Sequence, residues 1–93
     1  RERLRPVLDD VTQWATRIVR LAQRLDDYPD PNQVPAQAES LLQDSLRALE
    51  TTYARLQLIA AQDLSERRIG QLRNEIAQNL RVLQETMESF HEP

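Results

Sequence analysis

The apolar residues of this chain return every three or four positions, and that spacing restricts what it can fold into more than any other feature. From Leu4 they fall at Val7, Val11, Trp14, Ile18, Leu21, Leu25 and Tyr28. A strand buries every second residue, whereas steps of alternating three and four make one narrow stripe along a helix. Such a stripe is covered by other helices lying at shallow angles. Pro6 is tolerated near the start, where the first turn has no internal amide bond to lose. Trp14 sits mid-stripe and is expected to be the largest core side chain.

The stripe ends at Tyr28-Pro29-Asp30-Pro31-Asn32-Gln33-Val34-Pro35, which holds three of the five prolines. Each lacks an amide donor and restricts the residue before it, so this is the first loop. Asp30 with Gln33, or Asn32 followed by Pro35 at a first helical position, supplies a start signal for a second helix. There Leu42, Leu46, Leu49, Tyr53, Leu56 and Ala60 repeat the four-three step, with Leu41, Ala48 and Ile59 widening the face.

No Pro or Gly marks the second boundary, and it has to be found from phase. Carried past Ala60, the frame of the second helix would place Asp63, Arg67, Gly70, Asn74 and Arg81 in the seam. The apolar set actually present is Ile69, Leu72, Ile76, Leu80, Leu83, Met87 and Phe90, on a different face. A turn at Ala61 to Ser65 accounts for the change better than one continuous helix, and Asp63 with Glu66 reads as a capping box at that point. The four-four step from Leu72 to Leu80 is a stutter that locally unwinds a supercoil. Gly70 costs a helix interior about 1 kcal/mol relative to Ala, which implies a later helix start or a close approach to its backbone.

The expected fold is therefore all-α: an antiparallel, up-down-up three-helix bundle with heptad-like packing, its helices over about 3–27, 35–62 and 64–89. The 93 residues leave room for a single domain over 1–93, burying somewhat over ~60% of the extended-chain surface. Opening at Arg1 without Met is as much expected of a domain excised from a longer protein as of a complete one. With 40% hydrophobic but only 4% aromatic residues, the core must be built mostly of Leu, Ile, Val and Ala. Trp14 in the middle of a first helix, three heptad helices and a Pro-rich first connection resemble a spectrin-type repeat in architecture. The pattern departs from that repeat in length and in lacking an aromatic-anchored third helix, so the likeness reaches architecture and not family.

Composition also narrows function. There is no apolar run of the ~18 residues a membrane span needs, nor a charged segment followed by an apolar signal core. The chain reads as soluble, with the cytoplasm as the default compartment. Without Cys there is no disulfide, thiolate metal site or Cys nucleophile. The net charge of −3 argues against nucleic acid, because duplex binding needs a concentrated positive face. Arg1, Arg3 and Arg5, and again Arg17, Arg20 and Arg24, are interleaved with Asp9, Asp10, Asp26 and Asp27, as on a solvated mixed-sign surface. All twelve basic residues are Arg, which keeps the same positive charge that Lys would carry.

Catalytic or metal chemistry is not expected. The only His is His91, beside the C-terminus, where a working imidazole would lack a rigid surround. Glu88 with His91 repeats the Glu-x-x-His of di-iron bundles, but that arrangement needs inward-facing partners on other helices. Adjacent carboxylates such as Asp9-Asp10 point about 100° apart on a helix and do not share a site. One glycine cannot build a phosphate-cradling loop.

No active site, cofactor or metal is therefore expected, and the leading expectation is a protein-protein interaction module, an adaptor or scaffold domain offering a helical face or groove. Its alternative is a structural spacer or coiled-coil oligomerisation segment of an extended assembly, and self-association belongs to either. A membrane-surface role for the first helix lacks the basic, aromatic face that role uses. Leu8, Ala15, Val19 and Ala22 on the first helix, and Leu41, Ala48 and Leu58 on the second, form extra apolar rows that either widen the core or bind a partner. The candidate partner-binding residues are Leu8, Val19 and Leu41, with Arg17, Arg20, Arg24 and Asp44 as a charged rim.

Overall fold

The computed structural model describes residues 3–62 and 65–89. It consists of α1 (Arg5–Asp26), a single 3₁₀ turn (Pro31–Gln33), α2 (Ala36–Gln62) and α3 (Glu66–Glu88), with no strand among the described residues. The three helices pack pairwise into an up-down-up bundle of 47 × 19 × 17 Å. The expected helix ends agree with the observed ones to within two residues, and α2 and α3 are separate helices, as the phase change implied.

The local signals at the helix ends explain most of this. Pro6 lies in the first turn of α1, which has no side-chain cap. At the other end the Asp27 amide donates back to the Gln23 carbonyl at 3.1 Å. The carboxylate of Asp30 accepts from the Asn32 amide at 2.9 Å, so this start signal caps the 3₁₀ turn and not α2. The second helix begins after Pro35, with the amides of Ala38 and Glu39 donating to the Pro35 carbonyl. At the second boundary the cap is Ser65, whose hydroxyl accepts from the Arg68 amide at 3.3 Å, with Glu66 in the first turn favourably placed for the helix dipole. Asp63 and Leu64, expected to cap and begin this helix, lie outside the described residues, as do Phe90 and His91.

The core follows the α1 and α3 stripes. Val7, Trp14, Ile18 and Leu21 of α1 meet Ile69, Leu72, Ile76 and Leu83 of α3, with Leu4, Val11, Leu25, Leu80 and Met87 packed around them. Trp14 is 1% exposed. Its indole Nε1 has no hydrogen-bond partner among the described residues, which leaves a buried donor unsatisfied.

The second helix departs from its expected phase. Leu42, Leu49 and Leu56 do face the core, but the positions alternating with them are Ala38, Ser45, Thr52 and Ile59. Leu46 and Tyr53, placed in the seam by their spacing, are 40% and 53% exposed. Two frames share the leucines at 42, 49 and 56, and they differ by one residue, about 100° of helix, in what else turns inward. Close packing favours the smaller set. Trp14 is the largest fully buried side chain, and α2 turns Ser45, Ala48 and Thr52 inward, small enough to let the helix approach the shared core. Tyr53 in that place would also bury a phenol needing a partner.

Gly70 is inside α3 rather than before it, and a Cβ built there would meet no other atom within 4 Å. Neither a later helix start nor a close backbone approach explains this glycine. It borders an open hollow of about 380 Å³ between α1 and α3, lined by Asp10, Gln13, Arg73 and Asn74 among others.

Candidate functional site

The turn of each helix decides which surfaces the bundle offers. In α1, Ala22 and Leu25 border a hollow shared with Glu39, Leu42 and Gln43 of α2, so that flank faces α2. Arg17 and Arg24 border another with Gln84, Met87 and Glu88 of α3, so theirs faces α3. At about 100° per residue, Leu8 and Val19, eleven positions apart, point within about 20° of each other, just outside the α2-facing flank. On α2 the flank bearing Glu39 and Leu42 faces α1, and Leu46 and Tyr53 stand at its outer edge.

Leu8, Val19, Leu46 and Tyr53 therefore point out of one side of the molecule, the side built by α1 and α2. They are 47%, 53%, 40% and 53% exposed, and they are four of the six large apolar residues that the described surface exposes. The other two, Leu58 and Val82, lie towards the α2–α3 side. Ala15 and Ala22 of α1, both half-buried, continue the face between Leu8 and Val19 and beyond. At its edge stand Asp26, Glu39 and Glu50, all exposed. An apolar centre with charges at its edge is a composition that partner-binding surfaces share.

The seven residues expected to form a binding surface do not converge. Leu8 and Val19 share the face just described. Leu41 is half-buried against the core and finishes it. Arg17 and Arg24 border the α1–α3 hollow, on the other flank of α1. Arg20 is exposed on the outer surface of α1, about 100° from Val19 and one turn from Arg24, and Asp44 lies on the α3-facing flank of α2. Leu46 and Tyr53 were missed because their spacing is equally that of a core seam. The signal that could have found them is the pair Ser45 and Thr52, small residues in the competing frame one position earlier.

Two ion pairs fix how the helices sit against one another. Arg55 of α2 and Glu75 of α3 form a two-pronged pair, with Nη2 donating to Oε2 at 3.0 Å and a second bond from Nη1 to Oε1. The hydrogen bond from Arg55 holds the Glu75 carboxyl below its ordinary range and raises the Arg55 guanidinium in turn. Arg73 Nε of α3 donates to Asp10 Oδ2 of α1 at 2.7 Å, which raises the Arg73 value. Both pairs are substantially exposed and screened by solvent, so neither contributes much to stability. Their value is geometric, since they tie α3 to both other helices and leave the α1–α2 side without an ion pair of its own among the described residues.

No three His, Asp or Glu side chains among the described residues gather as metal ligands would, and no helix is long and apolar enough to cross a membrane. In comparisons with models of protein families, with characterised proteins and with solved structures, nothing matches this chain.

Proposed function

We propose that this chain is a non-enzymatic protein-protein interaction module of adaptor or scaffold type, and that it binds through the apolar side built by α1 and α2. The observation that carries this reading is the gathering of Leu8, Val19, Leu46 and Tyr53 on one face while smaller, more polar residues of α2 are taken into the core. Burying four such side chains against a partner is worth about 25 cal/mol per Å² of apolar area removed from water, and Tyr is among the residues that most often anchor interfaces. A partner suited to this face presents an apolar helical surface with charges at its edge.

The test is Leu46→Ser combined with Tyr53→Ser. Both side chains are outside the core, so the variant stays folded, with melting close to that of the parent, and loses binding. A variant that unfolds shows that these residues belong to the core. One that stays folded and binds as before moves the function to another surface.

A further inference from the structure

We infer that the groove between α1 and α3 is a second docking surface, separate from the α1–α2 side, and that its occupant is an acidic helical segment of a partner protein, held by Arg17, Arg20, Arg24 and Arg81. A module of adaptor type needs two such surfaces, and this one does not depend on the first.

The heptad steps of both helices build the groove. Asp10 and Gln13 of α1 line a hollow of about 380 Å³ with Gly70, Asn74 and Ala77 of α3. Arg17 and Arg24 line a second, of about 390 Å³, with Gln84, Met87 and Glu88. The two hollows follow one another along the same pair of parallel helices, and from Asp10 to Arg24 they extend about 21 Å at the helical rise. Ile76, Leu80 and Met87 give the groove an apolar lining.

Its charge is concentrated in one stretch. Arg20 stands three residues after Arg17 and four before Arg24, so all three point within about 60° of one another. Arg81, four residues after Ala77 and seven before Glu88, falls on the α3 row that lines the groove. The ion pair of Asp10 with Arg73 sets the relative height of the helices and makes Arg81 level with residue 18. Four guanidinium groups thus gather along about 10 Å of groove, in a chain whose net charge is −3. Asp27 and Glu88 stand at the far end of the stretch, and Arg17, Arg20 and Arg81 form no ion pair with a described residue. Planar guanidinium groups donate in pairs to carboxylates, so a row of acidic side chains is the complementary surface.

The glycine that the fold leaves unexplained belongs to the same groove. Inside a helix glycine is destabilising relative to alanine, and a Cβ at Gly70 would meet nothing within 4 Å. A helix entering the groove accounts for it, because Gly70 and Ala77, seven residues apart on one row, let a partner backbone come close. The apolar lining takes aliphatic side chains, which a helix offers and a phosphodiester backbone lacks, and the net negative charge of the chain also opposes nucleic acid.

The test uses three probes: a synthetic helical peptide of Leu, Ala and Glu, about 18 residues and so about 27 Å long, the same peptide with Lys for Glu, and a single-stranded DNA oligonucleotide. Titrations followed by heteronuclear NMR are expected to show the Glu peptide binding and shifting the amides of Gln13, Arg17, Gly70 and Ala77. Arg17→Glu with Arg81→Glu should weaken binding about tenfold or more. Gly70→Leu should weaken it without lowering the melting temperature, whereas Arg47→Glu, on the outer face of α2, should change it little. No binding up to about 1 mM, equal binding of the Lys peptide, tighter binding of the oligonucleotide, or indifference to the charge reversal overturns the inference. If Leu46→Ser with Tyr53→Ser abolishes binding of the Glu peptide and the charge reversal does not, the peptide sits on the α1–α2 side; the second surface is then lost while the interaction-module reading stands.

Discussion

Replacing Gly70 by Ala should stabilise the protein, and the size of the gain follows from the structure. The residue lies four positions inside α3, well past the Ser65 cap, and its backbone has no positive φ that an L side chain would strain. A methyl group there meets nothing within 4 Å, so no repacking cost offsets the helix-propensity gain. That gain is about 0.8–1 kcal/mol, because glycine surrenders more backbone freedom on folding than alanine. For a domain of this size 1 kcal/mol corresponds to roughly 4–8 °C in melting temperature. Thermal melts followed by circular dichroism at 222 nm, with parent and Gly70→Ala at equal concentration, measure it directly. Equal concentration matters, because self-association would itself raise the midpoint. An unchanged or lowered midpoint would refute the argument, since it would mean that the hollow beside Gly70 is filled or that α3 does not run helically through this position.

Two further outcomes are expected of the core and of the charged pairs. Trp14→Ala should cost about 3–5 kcal/mol in denaturant unfolding, whereas Trp14→Phe should cost much less, because it removes an unsatisfied indole N–H whose burial costs about 1–3 kcal/mol; equal losses for the two would show that the indole is hydrogen-bonded after all. Glu75 has its folded value lowered by Arg55, so its contribution is fully present above the ordinary carboxylate value of 4.5 and is lost as pH falls through the lower folded value. Comparing Glu75→Gln with the parent by unfolding at pH 7 and pH 2.5 should give a difference of about 1 kcal/mol or less that vanishes at the acid end; a difference that grows on acidification would contradict the pairing.

The periodicity of α1 and α3 and the phase break between α2 and α3 were enough to specify three helices, their order and nearly all their ends. Those features are local: a proline removes an amide wherever it stands, and a stripe of apolar residues shows which side of a helix must be covered. Leu8 and Val19 could be picked out for the same reason, lying beside a stripe already complete. The phase of α2 could not be read this way. Leu42, Leu49 and Leu56 serve two frames equally, and hydrophobicity alone favours the frame with Leu46 and Tyr53 inside. What separates them is the packing of three helices around one core, which holds Trp14 and takes in the small Ser45, Ala48 and Thr52 of α2 in place of Leu46 and Tyr53. Arg17 and Arg24, by contrast, were separable from Val19 by helix geometry alone, standing about 160° and 140° round α1 from it, and they border α3. Spacing along one chain reports the period of a helix, but which of two overlapping faces goes inward depends on the shapes of side chains distant in sequence, and those meet only in the packed bundle.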